Sequence, residues 1–275
     1  MRPLLLLFAP LLAVGACNGD KFDDDAGADT GGDGLVVGGD GAAADGQTAD
    51  VITPKKRFCE TIDAQFCADF DIPNDAGAGF GTLKETNGYT LSFENGQSKS
   101  APVGVGAFIP GDAGGTADLN TVFFNPEGGA TPTATLDLDM YVPNLSTQTT
   151  QPLFFFAFGA ISPSYQFGLA HDGPVWKLEF LPAKSGPPLS TPFALNEWLH
   201  VTLVVFPLGA NGYATLTITS SAGTSTASTI PGQYPTAPPN STGPYPMMID
   251  VGPNTGAPPL VSAQAYYDNV VVRVQ

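Results

Sequence analysis

From Phe66 to the end of the chain, apolar residues recur at every second position in short runs. The clearest is ATLDLDMYV, where Ala134, Leu136, Leu138, Met140 and Val142 alternate with Thr135, Asp137, Asp139 and Tyr141. Successive side chains of a strand point to opposite sides, so this period predicts a strand with one wet face. WLHVTLVVF repeats it: Leu199, Val201, Leu203 and Val205 take one side, and Trp198, His200, Thr202 and Val204 the other. Further strands are predicted at YTLSF, VGVGAFI, LFFFAFGAI, YQFGLA, VWKLEF, YATLTIT, TSTASTI, PMMIDV and AYYDNVVVRV. Gly, Pro, Asn or Asp bounds each of them, as in the ANG between VVFPL and YATLTIT, which suits hairpin connections. About a dozen short strands with almost no helical period predict two packed antiparallel sheets. PGQYPTAPPNSTGPYP, Pro231 to Pro246, is predicted as a long surface loop, because proline cannot donate to a strand ladder.

Composition agrees. The 275 residues are 43% hydrophobic, enough for a full core, while 33 glycines and 26 prolines argue against long helices. One domain of about two hundred residues plus tails is the natural organisation. The formal net charge of −16 disfavours a nucleic-acid partner, since nothing would neutralise phosphates. Lys55, Lys56 and Arg57 form the one basic run, read as a solvated hinge before the domain.

The first residues follow a different rule. Arg2 supplies a positive start, Leu4 to Leu12 an apolar stretch, and Val14, Gly15 and Ala16 the small residues that a signal peptidase accepts before Cys17. At roughly a dozen apolar residues the stretch falls short of the ~20 that span a bilayer as a helix. The Val-Gly-Ala-Cys ending resembles a bacterial lipobox. The resemblance implies diacylglycerol on the Cys17 sulfur, cleavage before it, acylation of the new amino terminus, and an anchor in the cell envelope. A single acyl chain binds membranes only marginally, so the two or three chains of such an anchor matter. Asn18 follows where many bacteria read a retention signal from aspartate, which favours the outer membrane.

Between Asn18 and Asp50 the chain carries nine Asp and one Lys, a charge of −8, with Gly and Ala filling most of the rest. Such a segment cannot recover its ordering entropy and is expected to stay extended, spanning roughly 30 Å on average. The expected organisation is therefore a signal peptide over 1–17, an acidic linker over 18–56 and a β-sandwich over 57–275. Asp23, Asp24 and Asp25 suggest calcium, but the spacing fails the EF-hand loop and no bidentate Glu follows. With Cys17 lipidated, Cys59 and Cys67 are left as an even pair in an oxidising compartment, expected to close a disulfide worth about 2.5 kcal/mol. Two cysteines with no histidine nearby cannot complete a tetrahedral zinc site, and neither metal nor cofactor is expected.

Within the domain, FCADFD, EWLHVTLVV followed by a hairpin, and the closing YYDNVVV are similar to the concanavalin A-like lectin/glucanase jelly rolls, specifically laminin-G-like modules of bacterial secreted proteins. The resemblance implies an all-β, two-sheet antiparallel jelly-roll sandwich, with Trp198 in the core and Asp268-Asn269 at a turn or strand end. It also implies a glycan or cell-surface ligand.

Candidate chemistry is sparse. Glycan-cleaving members of the fold need two carboxylates across a sugar, about 5 Å apart in a retaining enzyme. Asp137-Leu138-Asp139 is the one comparable run; it lacks a flanking glutamate and is read as the solvated side of a strand. A polysaccharide lyase of this fold would want Arg, Gln, His and Tyr together, and Arg273 is the single arginine after position 57. His171, placed in a turn beside Asp172, and His200, on a strand, have no Gly-x-Ser-x-Gly elbow to serve. Aromatic residues on strands can instead stack on sugar rings, and Tyr141, Tyr165 and Trp176 are the candidate ligand contacts. The expectation is a monomeric, non-enzymatic binding module. A carbohydrate-active hydrolase with a degenerate strand and a purely structural envelope protein are the alternatives.

Overall fold

The structure, a computed structural model, describes residues 58–275 except 72–79, 81, 86–87, 89, 96, 101–102, 112–114, 125–132, 146–150, 159–164, 173–174, 182–185, 191–192, 207–210, 234–245 and 256–261. The expected signal peptide over 1–17 with Cys17, the expected acidic linker over 18–56 and most of the expected Pro231 to Pro246 loop lie outside the described residues. A single 3-10 turn, Cys59–Thr61, precedes an all-strand domain. Its strands are β1 (Phe66–Ala68), β2 (Thr82–Glu85), β3 (Thr90–Asn95), β4 (Val103–Ile109), β5 (Gly115–Phe124), β6 (Ala134–Asn144), β7 (Gln151–Phe158) and β8 (Tyr165–Asp172). They continue with β9 (Val175–Leu181), β10 (Trp198–Phe206), β11 (Tyr213–Ser220), β12 (Gly223–Ser228), β13 (Pro246–Val251), β14 (Asn254–Thr255) and β15 (Ala263–Val274).

Two antiparallel sheets form. The first runs β12-β11-β10-β6-β15-β4-β3, with β1 also paired to β15; the second runs β14-β5-β13-β7-β8-β9, with β2 also paired to β5. Period two decides what is buried between them. Leu136, Leu138, Met140 and Val142 of β6, and Leu199, Val201, Leu203 and Val205 of β10, are all buried in one core cluster. Phe154 and Phe156 of β7, Phe167 of β8 and Ile249 of β13 meet them in the same cluster. At roughly 25 cal/mol per Å² of apolar area, each fully buried Leu or Phe stabilises the sandwich by about 2 kcal/mol relative to exposure. Tyr267 of β15 crosses the core and donates its hydroxyl to the Leu153 carbonyl of β7 at 2.8 Å. Burial holds that phenol well above its usual pKa of 10.0.

Cys59 and Cys67 are bonded, their Cα atoms 5.7 Å apart, tying the 3-10 turn to β1. The Asp69 carboxylate adds a second tie by accepting the Cys59 N–H at 3.0 Å.

Three expectations are corrected here. Asp268-Asn269 is no turn or strand end: the pair lies inside β15, at a register shift between Asp268 and Val271 where Asn269 takes φ 51°. At this bulge β15 exchanges its neighbour, pairing with β4 through Ala263 to Tyr267 and with β1 through Val270 to Val272. A local kink is what a bulge supplies, and Asn tolerates the left-handed backbone. His171 is not in a turn but on β8, opposite Trp176 of β9. It is buried edge-on against the indole, ring centroids 5.0 Å apart, while Asp172 turns outward to Lys177 at 2.9 Å. Trp198 is not core: it lies half-buried on the outer side of β10, because its phase is that of His200 and Thr202.

Candidate functional site

The outer face of the first sheet carries the polar half of each alternating strand. Antiparallel register sets these side chains in rows across the strands. One row is Gly106 of β4, Tyr266 of β15, Tyr141 of β6 and Trp198 of β10. The three rings touch in sequence, Tyr266 to Tyr141 at 6.0 Å between centroids and Tyr141 to Trp198 at 5.7 Å. Gly106 makes space for the first of them, since a Cβ there would lie 2.8 Å from Tyr266 Cε1. Tyr266 is buried under its neighbours, while Tyr141 and Trp198 are half-buried and present ring surface outward.

The adjacent row is Asp268 of β15, Asp139 of β6, His200 of β10, Thr219 of β11 and Thr224 of β12. His200 Nδ1 donates to Asp139 Oδ1 at 3.0 Å, and Asn269 Nδ2 donates to Asp139 Oδ2 at 2.9 Å. The hydrogen bond to Asp139 raises the His200 pKa from 6.5, with burial working against it. Asp268 is fully buried, and burial pushes its carboxyl up to about 7. Its Oδ2 accepts the backbone N–H groups of Lys99 and Ser100 at 2.7 and 2.8 Å, which pins that loop against the sheet edge of the site.

A third row holds Asp137 and Thr202. Thr202 Oγ1 donates to Asp137 Oδ1 and Arg273 Nη1 to Asp137 Oδ2, each at 2.7 Å. Both oxygens of Asp137 and of Asp139 therefore act as acceptors.

An open cleft of about 580 Å³ lies over this face, lined by Lys99, Asp139, Glu197, Trp198, His200 and Ser221. The segment before β10 shapes that side: Asn196 takes φ 67° and gives its N–H to the Val142 carbonyl at 3.0 Å, delivering Glu197 and Trp198 to the rim. Glu197 Oε2 accepts the N–H and hydroxyl of Ser221. Among the described residues, no group of three His, Cys, Asp or Glu side chains is placed to hold a metal ion.

None of the three candidate ligand contacts lines the cleft, and one adjoins a residue that does. Tyr141 stands beside Trp198 in the aromatic row. Trp176 is a correction: it is buried in the core, sharing the inward phase of Leu178 and Phe180 on β9. Tyr165 begins β8 opposite Phe158, in the other sheet, and its side chain lies outside the described residues. Asp139, read as a solvated strand residue, is buried. Sequence reasoning missed Trp198 as a residue of the cleft although its strand phase, shared with His200, carried the signal. Gly106 and the Lys99 loop had no signal, since only pairing across strands brings them here.

No protein-family model matches the chain, and no curated protein is similar to it in sequence. Solved structures do resemble it in shape. An endo-β-1,4-glucuronan lyase from the fungus Trichoderma reesei superposes with a TM-score of 0.56 at 11% identity, over 77% of this chain and 95% of that one. The marine PL-14 alginate lyase from Aplysia kurodai gives 0.54 at 9% identity, over 78% and 100%. Alginate lyase vAL-1 from a Chlorella virus gives 0.52 at 11% identity, over 78% and 100%. At these identities the likeness establishes the fold alone: a two-sheet antiparallel jelly-roll sandwich.

Proposed function

We propose that the protein is a lipid-anchored module of a bacterial envelope, held through Cys17 to the outer membrane by its acidic spacer, whose sandwich binds glycan without cleaving it. The observation that carries the binding reading is the outward ring surface of Trp198 and Tyr141 beside a cleft edged by Asp139, His200 and Glu197. A planar apolar ring flanked by hydrogen-bonding groups matches a pyranose, which has an apolar face and a polar rim. That the similar structures are lyases acting on polysaccharides makes glycan the first ligand class to test. Binding without cleavage is supported by the strand-to-strand contacts that occupy Asp137, with Thr202 and Arg273, and Asp139, with Asn269 and His200.

A glycan screen on the mature chain tests this reading, with Trp198→Ala as control. Retention of one glycan class, weakened about 2- to 13-fold by Trp198→Ala, is expected from a stacking contact of ~0.5–1.5 kcal/mol. Equal retention by the variant, or none by either protein, overturns it. Fatty-acid label on the wild type and its loss in Cys17→Ser test the anchor.

A second reading, a glycan-cleaving enzyme, is favoured by one observation: the His200 ring is oriented by a buried carboxylate, as a general base would be. Sugar release by the wild type that disappears in His200→Gln would replace binding by catalysis.

A further inference from the structure

We infer that this cleft takes an uncharged sugar chain, seated on Trp198 and continued over the hydroxyl face of β11 and β12, and that it turns uronate chains away. The inference rests on the glycan-binding reading above and specifies the ligand. Three observations carry it.

The first is charge at the cleft. Asp139 and Glu197 line it beside two basic groups, the Lys99 ammonium and the His200 imidazole, and the imidazole is already held by Asp139 at 3.0 Å. Arg273, the only arginine among the described residues, is bound to Asp137 at 2.7 Å and so is already neutralised. A uronate chain brings a carboxylate with every ring, and seating a run of them calls for several free cations, where the cleft offers the Lys99 ammonium beside two carboxylates.

The second is charge at longer range. Nine of the 26 acidic residues precede Arg57, which leaves 17 Asp and Glu against six Lys and Arg from that point on. The domain's field therefore opposes an incoming polyanion at low ionic strength.

The third is the surface that leads out of the cleft. Thr219 lines the cleft and pairs with Thr224 at 3.1 Å between hydroxyls. The same contact repeats down the two strands, Thr217 with Thr226 at 3.2 Å and Thr215 with Ser228 at 2.8 Å. Neither YATLTITS nor GTSTAS contains a charged residue. A hydroxyl has one proton and two lone pairs, so each mutual pair keeps capacity for the hydroxyls of a sugar. Strand spacing near 4.8 Å sets these groups in two parallel files, a polar and uncharged track suited to an extended neutral chain.

The test compares neutral cello-, xylo- and manno-oligosaccharides with oligoglucuronate and oligoalginate of matched length, by calorimetric titration of the mature chain. The best neutral oligomer is expected to bind at least about tenfold more tightly than any uronate at about 0.01 M salt. The gap should shrink toward about 1 M, as the Debye length falls from ~30 to ~3 Å. Glu197→Gln should narrow it at low salt, and Thr217→Val with Thr226→Val should weaken the neutral oligomer several-fold while melting stays cooperative. Uronate binding equal to or tighter than neutral, with Trp198→Ala still weakening it, overturns this inference and leaves the glycan reading standing. So does a gap that neither salt nor Glu197→Gln changes. Binding by no oligomer of either kind, or binding that Trp198→Ala leaves intact, overturns the glycan reading and this inference with it.

Discussion

Asp268 gives the sharpest test of the site's energetics. It is fully buried at the β15 bulge, accepting N–H groups from Lys99, Ser100 and Asn269. Those donors favour the charged carboxylate, yet desolvation outweighs them and lifts the pKa from 3.8 to about 7. Between these values the folded chain keeps a proton that the unfolded chain has released. The group's contribution to stability is then complete below 3.8, declines as pH rises, and is gone once pH passes about 7. At ~1.36 kcal/mol per pH unit the interval amounts to ~4 kcal/mol, an upper bound, or roughly 10 °C of melting temperature for a domain of this size. Asp268→Asn removes the titration. It also sets an amide NH2 against backbone donors, which costs about 1–3 kcal/mol at every pH. Calorimetric melts from pH 4 to 8 should show the variant below the wild type at the acid end, with the two converging or crossing near pH 7. Other carboxylates titrate in both proteins and cancel in the difference. A melting difference that stays constant across this range refutes the reasoning.

Other perturbations probe separate links. Gly106→Ala puts a Cβ 2.8 Å from the Tyr266 ring; the overpacking should cost about 1–3 kcal/mol in a denaturant titration and weaken ligand binding, because the displaced ring supports Tyr141 and through it Trp198. Tyr267→Phe deletes the hydroxyl that bridges the sheets. Its acceptor, the Leu153 carbonyl, keeps the Gly252 N–H at 3.1 Å, so a loss of only about 1 kcal/mol is expected, and one above about 3 kcal/mol would contradict the assignment. Replacing Cys59 and Cys67 by Ser opens a short loop and should lower stability by about 2.5 kcal/mol; an unchanged denaturation midpoint would show the bridge to be idle.

Much of this was legible along the chain. ATLDLDMYV and WLHVTLVVF announce both their strands and the faces those strands bury, because a sandwich core demands strict period two and little else. β4, β10 and β13 begin and end where their apolar runs do. Phase also separates the two tryptophans: Trp176 keeps step with Leu178 and Phe180, and Trp198 with His200 and Thr202. The resemblance to a known fold masked that signal for Trp198. β2, β5 and β14 escaped prediction because TLKE, GTADLNTVFF and NT lack clean alternation and owe their state to pairing partners.

What the sequence determined alone, then, was the class: short alternating strands and their inward faces, two cysteines near enough to join, and an acidic balance unsuited to nucleic acid. The tertiary structure decided the site. Tyr141, Trp198, His200, Asp139, Gly106, Tyr266 and the Lys99 loop come from five separate segments, and the pairing of β4, β15, β6 and β10 alone makes them neighbours. Period two is a local property, written into consecutive residues by the geometry of one strand. Which strand lies beside which is fixed by how the whole core closes, and no local pattern encodes it.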